Sequence, residues 1–142
     1  MKKKLFAFTI NTLEQAENII LESKNYKITP ILHLKKYFLI GFGVEFIFTF
    51  QDMLISKFGK SSFKLYIDCG FDQSLAISMV ARRIDFLKLN SNSIILSKIK
   101  NISEKNRVLL NPSFNIVECR NRKNLKPILK KIYSKEKNEN RW

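Results

Sequence analysis

Residues 63–89 read FKLYIDCGFDQSLAISMVARRIDFLKL, and their periodicities set the fold class. Phe63 to Asp68 is a short run rich in aromatic and β-favouring residues, which reads as a strand ending at Cys69-Gly70. Asp72 is placed to cap a helix whose buried stripe is Leu75, Ala76, Met79 and Val80, with Arg82 and Arg83 near its negative dipole end. Asp85 to Leu89 is a strand again.

The same alternation runs in both directions from there. Upstream, Lys4 to Ile10 reads as a strand, and Thr12 with Gln15 forms a capping box for a helix ending near Lys24-Asn25. Lys27 to His33 is a second strand, to which Pro30 is a mild objection. Val44 to Phe58 carries both strand-like and helix-like spacing. Its fifteen residues decide for helix, and Gly59 is a fitting stop. Downstream, Ser91 or Ser93 starts a helix with Ile95, Ile99 and Ile102 on one face. Arg107 to Leu110 is a fifth strand, stopped by Asn111-Pro112. Phe114 to Val117 adds an irregular or edge segment. Leu125 to Tyr133 is a short basic helix, with Leu125, Ile128, Leu129 and Ile132 packing back and Lys135 to Trp142 frayed.

Strands alternating with helices predict a single α/β domain with a mostly parallel sheet. Five such strands suggest helices on both faces and a flavodoxin-like order, with an open half-barrel as the alternative. The expected organisation is an α/β domain over residues 1–119, followed by a basic C-terminal helix and tail over 120–142.

A chain of 142 residues, 45% of them apolar, can bury a real core. Two cysteines make no disulfide scaffold, no secretory signal is visible, and the longest apolar region, Tyr37 to Phe50, falls short of a membrane span. The expectation is a cytoplasmic protein with reduced thiols. That apolar region also offers a surface for self-association into a homo-oligomer.

The net charge is +14 and uneven. Residues 1–70 hold 10 basic and 6 acidic groups (+4), residues 71–118 hold 7 and 4 (+3), and residues 119–142 hold 9 and 2 (+7). Arg120, Arg122, Lys123, Lys126, Lys130, Lys131, Lys135 and Lys137 can meet phosphates, and Tyr133 and Trp142 can stack on bases. No RNA-binding motif accompanies them. Lysine outnumbers arginine 20 to 6, as in AT-rich coding, so a solvated lysine-rich tail is the simpler reading.

In open α/β sheets ligands bind beyond the carboxyl ends of the strands. That rim gathers Asn11, His33, Asp68, Cys69, Gly70 and Asn90, with Thr12, Ser91 and Asn111 beside them. Gly70 permits a positive φ. Cys69 at a helix N-terminus is a candidate thiolate, and His33, the sole histidine, is its only possible partner. The simpler readings are a loop-capping Asp68, a buried Cys69 and an ordinary His33. No cluster has metal-ligand spacing, neither GxGxxG nor GxxxxGK[ST] occurs, and no cofactor is implied. Asn11 and Thr12 stand where a phosphoacceptor receiver domain needs acidic residues.

Asp68-Cys69-Gly70, followed by Leu75-Ala76-Ile77 and Ile84 to Leu89, resembles a family of small bacterial α/β proteins in which a strand ends in Asp-Cys-Gly before an alanine-rich helix. The resemblance spans roughly residues 12–111 and implies architecture without an activity. Gln73 and Ser74 replace the family's Pro-Gly pair, and Arg83 replaces a glycine. The functional expectation is a non-enzymatic module that binds a small ligand or a protein at the strand-end rim. The alternatives are a nucleic-acid-associated protein using the basic tail and an enzyme with Cys69 as nucleophile.

Overall fold

A computed structural model describes residues 5–35 and 43–139. Its elements are β1 (Phe6–Thr9), α1 (Leu13–Lys24), β2 (Ile31–Leu34), α2 (Val44–Phe58), a 3₁₀ turn (Lys60–Ser62), β3 (Lys64–Asp68), α3 (Gln73–Ala81), β4 (Phe86–Lys88), α4 (Ser93–Lys105), β5 (Leu109–Leu110), β6 (Asn115–Glu118) and α5 (Lys126–Glu139). The chain is a single α/β domain, and its sheet is parallel throughout.

Local signals act as their chemistry requires. Thr12 accepts from the Gln15 amide and Gln15 reaches back to the Thr12 amide, closing the capping box on α1. Asp72 caps α3 through the Leu75 amide, and Asn92, rather than Ser91 or Ser93, caps α4 through Ile95. Pro30 stands just before β2, where a missing N–H disturbs no ladder bond. The lengths of α2 and its stop at Gly59 are as the spacing predicts.

Three helices end in the same way. Lys27, Arg83 and Arg107 adopt left-handed backbone, at φ 56, 60 and 58. After each, a hydrophobic residue sends its amide five residues back: Ile28 to Ser23, Ile84 to Met79 and Val108 to Ser103. This is the Schellman closure, with a basic residue where glycine is usual.

Strand order corrects two expectations. The sheet has six strands in the order β5-β4-β3-β2-β1-β6, not five in a flavodoxin-like order. The extra strand is the segment near Phe114–Val117, which pairs along its length with β1 as an edge strand. From β1 to β5 each strand lies beside its predecessor. Right-handed crossovers that always step the same way leave their helices on one face, whereas a doubly wound sheet reverses direction and covers both. The core agrees. Phe8, Leu32, Leu34, Leu65, Ile67 and Leu87 pack with the helices in one large cluster, while the residues between them, Ala7, Ile31 and Tyr66, form a separate small cluster without helix residues.

The uncovered face is concave. Leu110 ends β5 and Asn115 starts β6 at the opposite edge, and five residues of chain reach at most about 18 Å. In a flat sheet those edges would stand about 24 Å apart. The sheet therefore curls toward the link, as an open half-barrel does. The link lies inside the curl: Phe114 meets Tyr66 and Phe86 edge-on, with ring centroids 5.3 and 4.9 Å away.

The C-terminal helix belongs to the same core. Leu125, Leu129 and Tyr133 are buried within it, and the Tyr133 hydroxyl meets buried Ser23 at 2.6 Å. The helix continues to Glu139, past the point where fraying is expected. Met1–Lys4, Trp142 and residues 37–42 of the apolar Tyr37–Phe50 region proposed for self-association lie outside the described residues. Among the described residues no helix is long and apolar enough to cross a membrane.

Candidate ligand site at the carboxyl ends of the strands

Register decides which side chains share the concave face. Side chains on a strand alternate between faces, and paired residues on neighbouring strands share one. Glu118 pairs with Thr9, Thr9 with His33, His33 with Tyr66, Tyr66 with Phe86 and Phe86 with Leu109. These six residues form one row across all six strands. Two residues further along is the rim row. Asp68 and Lys88 pair directly within it, and the strand directions bring Arg120, Asn11, Lys35 and Asn111 to the same level. A polar rim thus surmounts an increasingly apolar floor.

His33 sits in the floor row, 4% exposed. Its Nδ1 shares a 2.8 Å hydrogen bond with Thr9 Oγ1, and its ring stacks on Tyr66 with centroids 4.7 Å apart. Its Nε2 is buried and has no hydrogen-bond partner. Burial pushes its pKa down to about 4. The charge of Asp68 opposes that fall, while Lys35, Lys88 and Arg120 add to it. His33 is therefore neutral at pH 7. Burial, with Asp68 and Cys69 adding, raises the Tyr66 phenol to about 12.

The rim is held by backbone-directed side chains. Gly70, at φ 57, takes the left-handed turn after β3. Its amide donates to Asp68 Oδ1 at 2.9 Å, and its carbonyl accepts from the Asn90 amide at 2.7 Å. The Asn111 side chain bonds both the amide and the carbonyl of Leu89, at 2.8 and 3.1 Å. Gln15 Oε1 accepts from the Asn11 amide at 2.7 Å, and its Nε2 donates to the carbonyls of Cys119 and Arg120 at 3.0 and 2.9 Å. One glutamine thereby ties the β1 turn to the end of β6. Arg120 forms a two-pronged pair with Glu118. Asp68 and Lys88, although directly paired in register, form no ion pair with each other or with another described residue.

A pocket of about 310 Å³ opens beside Lys88. Tyr66, Lys88, Asn90, Asn111, Pro112, Ser113, Phe114 and Ile116 line it. It combines an aromatic floor, a lysine ammonium, an amide and a hydroxyl, the usual mixture of a small-molecule site.

The sequence-predicted residues are only partly assembled. His33, Asp68, Gly70, Asn11 and Asn90 reach this end of the sheet. Cys69 does not join them: it is fully buried in the helix-side core, whereas His33 lies on the other face. No Cys–His pair forms. Cys119 is buried too, and burial raises its thiol to about 11, with Glu118 adding and Arg122 opposing. Sequence reasoning passed over Thr9, Lys35, Tyr66 and Lys88. The signal that marks three of them is the polar or aromatic residue inside an apolar strand: Thr9 between Phe8 and Ile10, Tyr66 between Leu65 and Ile67, Lys88 between Leu87 and Leu89.

Of the nucleic-acid candidates, Arg122, Lys123, Lys126, Lys130 and Lys131 are exposed on or before α5, while Arg120 is engaged with Glu118. Tyr133 is 1% exposed and cannot stack on a base. Among the described residues no three His, Cys, Asp or Glu side chains are grouped to hold a metal.

No family model and no curated protein matches the chain. Among solved structures, it is similar to a proposed fructose-1,6-biphosphate aldolase from Coccidioides immitis, with a TM-score of 0.58 at 11% identity. The match covers 75% of this chain and 44% of that protein, so the chain spans less than half its length. The likeness is one of fold.

Proposed function

We propose that this chain is a non-enzymatic, cytoplasmic binding or regulatory module that takes a small polar molecule at the concave carboxyl end of its sheet. The observation that carries the reading is the unneutralised pair Asp68 and Lys88. Opposite charges at paired positions on one face stabilise a sheet when they meet, yet these two form no ion pair with each other or with another described residue. The Lys88 ammonium and the second carboxylate oxygen of Asp68 are left for a third group, beside a pocket with an aromatic floor. Parallel α/β folds place their ligands at this end of the sheet. Native mass spectrometry of the protein purified without added ligand, beside its denatured mass, tests the reading. A bound molecule of defined mass in the wild type, lost in Lys88→Ala and in Asp68→Asn, is the expected result. A clean mass after incubation with a cell metabolite extract overturns it.

A second reading is association with nucleic acid through α5. Its support is the exposure of five basic side chains on one continuous segment, Arg122 to Lys131, where phosphates can be neutralised.

A further inference from the structure

We propose that the ligand of the rim is a small oxyanion whose binding brings a proton onto His33; this rests on the ligand-binding reading above. Two geometric observations carry it. The first is the charge set around His33. Lys35 continues β2, Lys88 ends β4 and Arg120 follows β6, while Asp68 ends β3. Arg120 is already held by Glu118, which leaves Lys35 and Lys88 against Asp68. Among the described residues the rim therefore has one cation in excess, and a bound anion completes it.

The second is the orphan nitrogen. A buried polar atom without a partner costs about 1–3 kcal/mol, and His33 Nε2 is such an atom. Its environment is otherwise full. Thr9 of β1 holds Nδ1, Tyr66 of β3 covers the ring, and burial keeps the phenol protonated. Thr9 can donate to Nδ1 or accept from it, so that contact survives either protonation state of the ring. An oxyanion above the ring gives Nε2–H an acceptor. Burial chiefly keeps the ring neutral, and the anion offsets the lysines and arginine that add to that effect. Binding and protonation then favour one another by linkage.

His33 is the chain's only histidine, so its ring resonances are unambiguous in NMR spectra of the full-length protein. Sulfate is the probe, because it remains a dianion between pH 5 and 7.5. The expected results are an upward displacement of the His33 titration midpoint by about two units in saturating sulfate, and affinity about tenfold tighter at pH 5 than at pH 7.5. Calorimetry in buffers of different ionisation heat should then register proton uptake at pH 5. Lys88→Ala should weaken sulfate at least tenfold, whereas Arg83→Ala, a distant cation, should leave it unchanged. Oxalate in place of sulfate separates a carboxylate ligand from a tetrahedral ester by which of the two binds tighter. An unmoved His33 midpoint, or equal loss in Lys88→Ala and Arg83→Ala, overturns the inference. If native mass spectrometry still shows a Lys88-dependent adduct in that case, the rim reading stands and only the oxyanion falls.

Discussion

His33 shows how one residue can be inexpensive to describe and costly to keep. The residue is buried, 4% exposed, and half of its ring's hydrogen-bonding capacity is unused. With a folded-state pKa of about 4 against about 6.5 in the unfolded chain, the unfolded state binds more protons between those values. Stability contributed by the neutral ring is therefore full above about pH 6.5 and is lost as pH falls toward 4. The expected loss between pH 7.5 and 4.5 is about 2–3 kcal/mol. Urea unfolding of the wild type beside His33→Gln measures it: the wild type should lose that much more than the variant over this range. Parallel curves would show that the imidazole is not held neutral. Sequence could single out His33 as unique in the chain. It could not reveal that Nε2 is unpartnered, because that depends on what β1 and β3 place around the ring.

Elements formed where local chemistry was explicit. The capping box at Thr12 and Gln15, the Asp72 cap and the Gly59 stop each depend on contacts within a few residues, so they were legible. The Schellman ends were not, because Lys27, Arg83 and Arg107 are poor left-handed residues. They are held there by the hydrophobic residue that follows, which buries Ile84 completely and Val108 almost so. Each costs about 1 kcal/mol relative to glycine. Arg83→Gly and Arg107→Gly should accordingly stabilise the domain by roughly 0.5–1 kcal/mol each, additively because they end different helices. An unchanged or lowered denaturation midpoint would show that the arginines repay the strain by contacts of their own. The last strand was half legible: Phe114–Val117 read as an edge segment, but its partner, β1, lies more than a hundred residues earlier.

At the scale of the molecule, the basic C-terminal segment is inseparable from the core. Removing residues 120–142 takes away Leu125, Leu129 and Tyr133, so it should unfold the domain and cannot report on nucleic acid. Charge reversal at exposed Lys126, Lys130 and Lys131 is the cleaner test. If α5 meets RNA through phosphates, the triple Lys→Glu variant should keep its circular dichroism and lower the slope of log affinity against log salt by about 2. A slope equal to that of the wild type would remove α5 from any such interface.

Residue order alone was enough to establish an α/β protein with a mostly parallel sheet and to mark where most helices start and stop. Periodicity, caps and crossover lengths are properties of neighbouring residues. The sequential order of β1 to β5, the single face that the helices share and the curl of the sheet around Phe114 emerge from the folded arrangement. A clue to the bare face was present, since Thr9, His33, Tyr66, Asp68 and Lys88 interrupt apolar strands at every second position, which a sheet covered on both sides does not tolerate. Reading it required the register that lines those residues up, and register is a relation between strands far apart in the chain. The same relation sets Asp68 beside Lys88 and sends Cys69 to the opposite face from His33. Strand pairing, which no local pattern encodes, thus chose the site.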